Sequence, residues 1–137
     1  MAQVYIIAGD PTPLARPRLG KRKVYDPQKN LKTVASIHVA NQHDGRPFLE
    51  GPLHLDVTFF MKAPESISLK RREALYGCEH IFKPDTDNLV KFISDICIGI
   101  IFYDDCSISR ITARKVYDSV PRTEFVITRL LDYQNDK

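Results

Sequence analysis

The sequence predicts a single α/β domain in which helices pack on a mixed β-sheet. Two observations predict it: the chain has 137 residues, 43% of them hydrophobic and 27% charged, and its apolar residues recur with both strand and helix periodicity. One hydrophobic core serves roughly 100 to 200 residues, so we expect residues 1–137 to form one domain. This composition is ordinary for a globular protein and argues against a disordered or fibrous chain.

The first half of the chain predicts a strand, a helix and a second strand. Residues 4–8 form a short apolar run typical of a buried strand, and residues 16–26 predict a loop or hairpin arm after several prolines. Strict alternation of apolar and polar residues over 53–61 is the strongest strand signal in the chain. An amphipathic helix that ends before the loop 44–52 is predicted by the spacing of Leu31, Val34, Ala35, His38 and Val39.

The second half predicts two helices and two strands. Ser66 or Ser68 is placed to cap a short basic helix that ends near Gly77. Asp87 or Asn88 is a suitable N-cap for a third helix, whose apolar positions are Leu89, Phe92, Ile93, Ile96 and Ile100. Strands at about 107–117 and 124–131, joined by a turn, complete the order β, α, β, α, α, β, β.

Several protein classes are excluded by composition. No apolar run approaches the roughly 20 residues that a membrane helix needs, and the N-terminus has no signal-peptide pattern. We therefore expect a cytoplasmic protein without a membrane partner. The three cysteines, Cys78, Cys97 and Cys106, form no Cys-x-x-Cys pair, which argues against a zinc ribbon and against a disulfide framework.

Basic charge is concentrated near the N-terminus, although the net charge is only +3. The basic arm, about residues 12–30, contains the cations Arg16, Arg18, Lys21, Arg22 and Lys23. Guanidinium forks and a nearby tyrosine ring suit phosphates and unpaired bases, which points to nucleic-acid binding. A solvated loop is the alternative interpretation.

Acidic charge is concentrated in a second segment, at about residues 83–108, which is the candidate catalytic motif. If the chain stays extended through Thr86, the carboxylates of Asp85 and Asp87 project to the same side. Hard oxygen ligands of this kind suit Mg²⁺ or Mn²⁺. Lys91 follows Asp87 by four residues, so it shares a helical face with it and is placed to stabilise charge on a phosphate.

A second acidic pair, Asp104 and Asp105, ends the apolar run that follows this helix. Adjacent like charges are costly unless they are solvated or neutralised by a cation, so the pair is expected to return to the same pocket. The residues alone leave alternatives open: the first pair as a helix cap, the second as a turn and Lys91 as a solvent-facing lysine. Together they favour a metal-dependent phosphodiesterase.

Residues 83–91 read Lys-Pro-Asp-Thr-Asp-Asn-Leu-Val-Lys, and they are followed by Asp95, Gly99 and the Asp104-Asp105 pair. This pattern resembles the signature of the RusA family of Holliday junction resolvases. Phages and prophages often carry members of this family. The similarity extends to Arg-Pro-Arg at 16–18 and to Lys-Val-Tyr at 115–117, and it covers most of the chain. A glutamine usual in the family just after the acidic pair is replaced by Ser107.

The resemblance implies a RusA-like fold and a homodimeric endodeoxyribonuclease that resolves four-way DNA junctions by paired symmetric nicks in recombination and repair. It implies Mg²⁺ as cofactor, with Mn²⁺ as a substitute. The implied catalytic residues are Asp85, Asp87, Lys91 and Asp105. The implied metal ligands are the three aspartates, with Asp104 as a weaker candidate. The implied DNA-binding residues are Arg16, Arg18, Lys21, Arg22, Lys23 and Lys115.

Three rival functions remain open. The first is a non-catalytic prophage protein that binds branched DNA, and the second is a nuclease that cuts other branched or single-stranded DNA. The third is an α/β domain whose acids only cap helices and face solvent. Retention of all four catalytic motif residues argues against the first.

Overall fold

A four-stranded mixed sheet forms the centre of the fold. The computed structural model describes residues 3–15, 18–19 and 24–130, with the backbone alone described at 18–19 and 24–25. The sheet strands are β1 (Val4–Ala8), β4 (Leu53–Met61), β5 (Ile108–Tyr117) and β6 (Arg122–Arg129). The helices are α1 (Lys29–His43), α2 (Leu69–Leu75) and α3 (Thr86–Cys97). A two-stranded hairpin, β2 (Arg18–Leu19) and β3 (Val24–Tyr25), precedes α1.

Strand β4 lies in the interior of the sheet, whose order is β1-β6-β4-β5. It runs parallel to β5 and antiparallel to β6, and β1 pairs antiparallel with the far edge of β6. The alternation in its sequence appears directly in its burial, because Leu53, Leu55, Val57 and Phe59 are at most 1% exposed. The predicted mixed sheet and the strongest predicted strand are therefore confirmed.

Helices α1 and α3 cover the buried face of the sheet. Helix α3 contributes Leu89, Phe92, Ile93 and Ile96 to the core, as its periodicity predicted. The fifth predicted position, Ile100, is not in the helix, because α3 ends at Cys97. Helix α1 contributes less than expected: Ala35 and Val39 are buried, but Leu31 and Val34 are 48% and 53% exposed. The helix prediction is right, but His38 is exposed as well, so only two of the five positions of the predicted stripe are buried.

The segment 77–80 pairs with one end of β5. The amide of Tyr117 donates to the carbonyl of Cys78, and the amide of His80 donates to the carbonyl of Lys115, at 3.0 and 2.9 Å. This short antiparallel pairing, with a bridge between Glu79 and Val116, covers the carboxyl end of β5. As a result Lys115, Val116 and Tyr117 are all buried at what would otherwise be an open sheet edge.

The remaining local predictions agree with the structure. Ser68 caps α2 by accepting a hydrogen bond from the amide of Arg71, and β5 and β6 flank a turn that contains Pro121. All three cysteines are free thiols, and Cys97 is the buried one. In the part of the chain that the structure describes, no helix is both long and apolar enough to cross a membrane.

Candidate active site

Asp85 stands at the N-cap position of α3, which begins at Thr86. The helix therefore starts earlier than the predicted cap at Asp87 or Asn88, and the chain is not extended through Thr86. The reason is local: Asp85 already has the extended backbone of a cap residue, with φ −67° and ψ 140°. Asp87 then falls in the first turn of the helix, where a negative charge interacts favourably with the helix dipole.

The carboxylate of Asp85 is not used to cap the helix. Its side chain forms no capping hydrogen bond, and its described charged contact is an ion pair with Lys83 at 3.3 Å. Both partners are exposed, at 53% for Asp85 and 87% for Lys83, so the pair is weak and easily exchanged. An N-cap carboxylate that leaves the helix amides alone is available to a ligand.

Lys91 lies on the exposed side of α3, four residues beyond Asp87 and about one turn along the helix. None of the ion pairs formed among the described residues includes Lys91. Its ammonium is therefore accessible beside the first acidic pair, as the helical spacing predicted.

Asp104 and Asp105 lie beyond the other end of α3. Asp104 caps a single 3₁₀ turn, Asp105–Ser107, by accepting a hydrogen bond from the amide of Cys106 at 3.0 Å. That bond, with a second from the Asp105 carboxyl, lowers the pKa of Asp104. Partial burial, the hydrogen bond to Asp104 and the negative charges of Asp104 and Asp95 together raise the pKa of Asp105. The pair is a concentration of negative charge that a cation would relieve.

The structure does not bring the two acidic pairs together within one chain. Asp85 and Asp87 are at the start of α3, and the 12 residues of that helix extend about 18 Å before the chain turns toward Asp104. Strand β5 also separates the two pairs. Lys115, near the C-terminal end of β5, contacts Pro84 beside the first pair, whereas Asp105 lies just before the N-terminal end of the strand. Among the described residues, no group of three or more His, Cys, Asp or Glu side chains is placed to hold a metal ion.

The oxygen donors match the chemistry of Mg²⁺ or Mn²⁺, but one chain assembles only part of a ligand set. Asp85, Asp87 and Asp105 are the residues that would hold the cation, with Asp104 beside them. Within the described part of one chain, the two acidic pairs are therefore not placed around a single cation.

Lys115, which the resemblance implied as a DNA-binding residue, is buried in the fold. It is 9% exposed, and its ammonium donates hydrogen bonds to the carbonyls of Phe82 and Pro84 at 2.6 and 2.7 Å. Its position opposite Phe59 in the sheet register turns it toward the helix side, where the segment 77–80 covers it. Lys115 therefore supports the backbone that leads into Asp85.

The rest of the basic arm is only partly described. Arg16, Lys21, Arg22 and Lys23 lie outside the described residues, and Arg18 is described only as backbone in β2. The antiparallel pairing of β2 with β3 confirms the predicted hairpin arm.

One charged interaction was missed by the sequence analysis. Lys32, which lies in α1 just after the basic arm, bridges Asp26 at 2.7 Å and Asp95 at 3.1 Å. Its charge is thus used within the fold. The sequence did not predict these ion pairs, because Asp26 and Lys32 are six residues apart, which is not a helical spacing, and Asp95 is distant in sequence from both.

Comparison with known proteins gives the family. The family model for endodeoxyribonuclease RusA matches residues 8–128 of this chain. The chain belongs to the RusA endodeoxyribonuclease family. It is also 32% identical over 133 residues to the uncharacterized protein YqaN of Bacillus subtilis strain 168, an alignment that covers 90% of this chain and 93% of YqaN. The resemblance read from the motif at 83–91 is therefore confirmed, and the RusA-family match includes both acidic pairs and Lys91.

Proposed function

We propose that this RusA-family protein is a divalent-metal-dependent endonuclease that resolves four-way DNA junctions by paired symmetric nicks. The observation that carries the proposal is the exposed Asp85, with its carboxylate left free by the helix it begins, beside Asp87 and the accessible Lys91. In a member of an endodeoxyribonuclease family, these groups are suited to a scissile phosphate. A junction enzyme of this kind would act in DNA recombination and repair.

The residues would share the work as follows. Asp85, Asp87 and Asp105 would hold Mg²⁺, or Mn²⁺ in its place; a cation there supplies Lewis-acid activation of water and offsets phosphate charge. Lys91 adds positive charge where negative charge builds on the phosphoryl oxygens. Because the acidic segments would repel DNA, the basic arm supplies affinity, which should be strongly salt-dependent.

We also propose that the active form is a homodimer in which Asp85 and Asp87 of one chain meet Asp105 of the other. This is supported by the separation of the two acidic pairs along α3 in a single chain. A two-fold dimer would present two such sites to a junction of matching symmetry, which suits paired nicks.

The test of the activity is cleavage of end-labelled four-way junctions in Mg²⁺, with linear duplex as the control substrate. The wild type should nick opposing strands, and Asp85→Asn and Lys91→Ala should lose nicking while they retain junction binding. Binding without nicking in both Mg²⁺ and Mn²⁺ would contradict the enzyme assignment and leave a branched-DNA-binding protein. If the wild type cut flaps or single strands as fast as four-way junctions, the proposed substrate would have to be widened to other branched or single-stranded DNA.

The test of the shared site mixes two inactive variants, Asp85→Asn and Asp105→Asn. If each site takes one residue from each chain, a mixed dimer retains one intact site, and an equal mixture recovers about a quarter of the wild-type nicking sites. If each site lies within one chain, every site in the mixture carries a substitution and no nicking returns. The second result would refute the shared site without affecting the proposed activity.

A further inference from the structure

Two large apolar side chains project into solvent directly before the catalytic motif. Ile81 is 80% exposed and Phe82 is 65% exposed. Single exposed apolar residues are common on protein surfaces, but neighbouring ones beside a functional site indicate a binding surface. Lys83, which follows them, is 87% exposed, so an apolar ring and an ammonium lie side by side.

The backbone that carries Phe82 is held in place by several contacts. The buried ammonium of Lys115 donates to the carbonyls of Phe82 and Pro84, on both sides of Lys83. The amide of His80 donates to the carbonyl of Lys115 in the pairing with β5. A loop with this many fixed polar contacts presents the Phe82 ring in one place instead of letting it collapse onto the core.

The ring itself has an orienting neighbour. The His80 ring packs against Tyr117 at 4.9 Å between centroids and meets Phe82 nearly edge-on, at 6.1 Å and 84°. A perpendicular contact with one neighbouring ring occupies at most one face of Phe82, and the side chain is 65% exposed, so the other face stays open. The open face of Phe82 is thus available for stacking.

The ring also lies close to the acids. Asp85 is three positions after Phe82, so their Cα atoms are at most about 11 Å apart. Successive bases in a DNA strand stack at about 3.4 Å, so the ring reaches a base within about three steps of a phosphate at Asp85. Lys83 supplies the charge complement to the DNA backbone at the same place.

We infer that Phe82 stacks on the exposed face of a base at the branch point of the DNA junction, next to the phosphate that is cut. The inference rests on the proposed function and adds a residue that recognises the branch. A junction exposes bases that lack a stacking neighbour, whereas linear duplex does not. The ring therefore selects branched over linear DNA.

The experiment measures binding, without divalent metal, to a four-way junction and to the same junction with abasic branch-point nucleotides. Base stacking on an aromatic ring is sequence-tolerant and is lost on alanine substitution, so Phe82→Ala should bind the intact junction about tenfold more weakly. It should bind the abasic junction like the wild type, and Phe82→Trp should retain the preference for the intact junction. Leu69→Ala, which truncates a residue 60% exposed on α2, is the matched control and should leave both affinities unchanged.

Four results would overturn the inference. Equal effects of Phe82→Ala on both junctions, or no effect on either while the wild type still binds and nicks junctions, would refute stacking and leave the proposed function intact. A change of oligomeric state in Phe82→Ala, measured by sedimentation, would assign the ring to a protein contact. A wild type that neither prefers nor nicks junctions would refute the proposed function together with this inference.

Discussion

A lysine from another element lies near each end of α3. Lys115 contacts the backbone just before Asp85 at the N-terminal end, and Lys32 contacts Asp95 near the C-terminal end. Lys115 gives its hydrogen bonds to backbone carbonyls, and the ion pair that the described residues give Asp85 is with the exposed Lys83. Lys32 instead forms ion pairs with Asp26 and Asp95. The same residue type thus positions a loop at one end of the helix and neutralises acids at the other.

This difference separates acids available to a ligand from acids already paired. Among the described residues, Asp85 is exposed and pairs with the exposed Lys83, whereas Asp95 is held by a lysine that is 19% exposed. Negative charge in the sequence therefore has two uses, and the partner of each carboxylate distinguishes them.

The largest expected effect compares Asp85→Asn with Asp95→Asn. We expect Asp85→Asn to reduce junction nicking at least about 100-fold, because a ligand carboxylate is replaced by a neutral amide. Asp95→Asn should stay within a few-fold of the wild type, since Lys32 keeps its bond to Asp26. Single-turnover nicking measures both, and a loss in Asp95→Asn equal to that in Asp85→Asn would place Asp95 in the reacting site.

An intermediate effect compares the two lysines by stability. Lys115→Met leaves two carbonyls without their buried donor and should lower the free energy of unfolding by about 2 to 3 kcal/mol. Lys32→Met removes ion pairs that are partly screened by solvent and should cost only about 0.5 to 1 kcal/mol. Urea denaturation measures both, and equal losses would mean that Lys32 is as important to the fold as Lys115.

The smallest expected effect is a pH dependence of stability that arises from His80, whose amide donates a hydrogen bond to the carbonyl of Lys115. Burial and the nearby positive charge of Lys115 lower the pKa of His80 below its ordinary value of 6.5. Below about pH 6.5 the unfolded chain takes up a proton that the folded chain resists, so stability falls as the pH falls until the folded histidine also titrates. Melting temperatures between about pH 7 and 5.5 should fall less steeply in His80→Gln, and parallel curves would contradict this.

Local patterns predicted the elements well, and contacts between distant segments account for most of what they missed. The alternation over β4 and the helical spacing in α3 depend on which face is buried, and both are confirmed. Three of the five positions in the α1 stripe, Leu31, Val34 and His38, are exposed because no described element covers them. The helical spacing of these residues could not indicate which of them another element would cover.

The site follows the same rule. The family motif gave the positions of Asp85, Asp87 and Lys91 on one end of a helix, since these are close in sequence. It could not give the burial of Lys115, which depends on the segment 77–80 pairing with β5. Nor could it give the distance to Asp105, which is set by the length of α3 and the direction of β5.

The parallel pairing of β4 with β5 has a consequence for how the protein folds. All the residues between these strands, 62–107, form a single crossover that contains α2, α3 and both acidic pairs. The two strands can join only after this long loop closes, and such non-local pairing is slow. We therefore expect the segment that carries the chemistry to become ordered late, in the same step that completes the sheet.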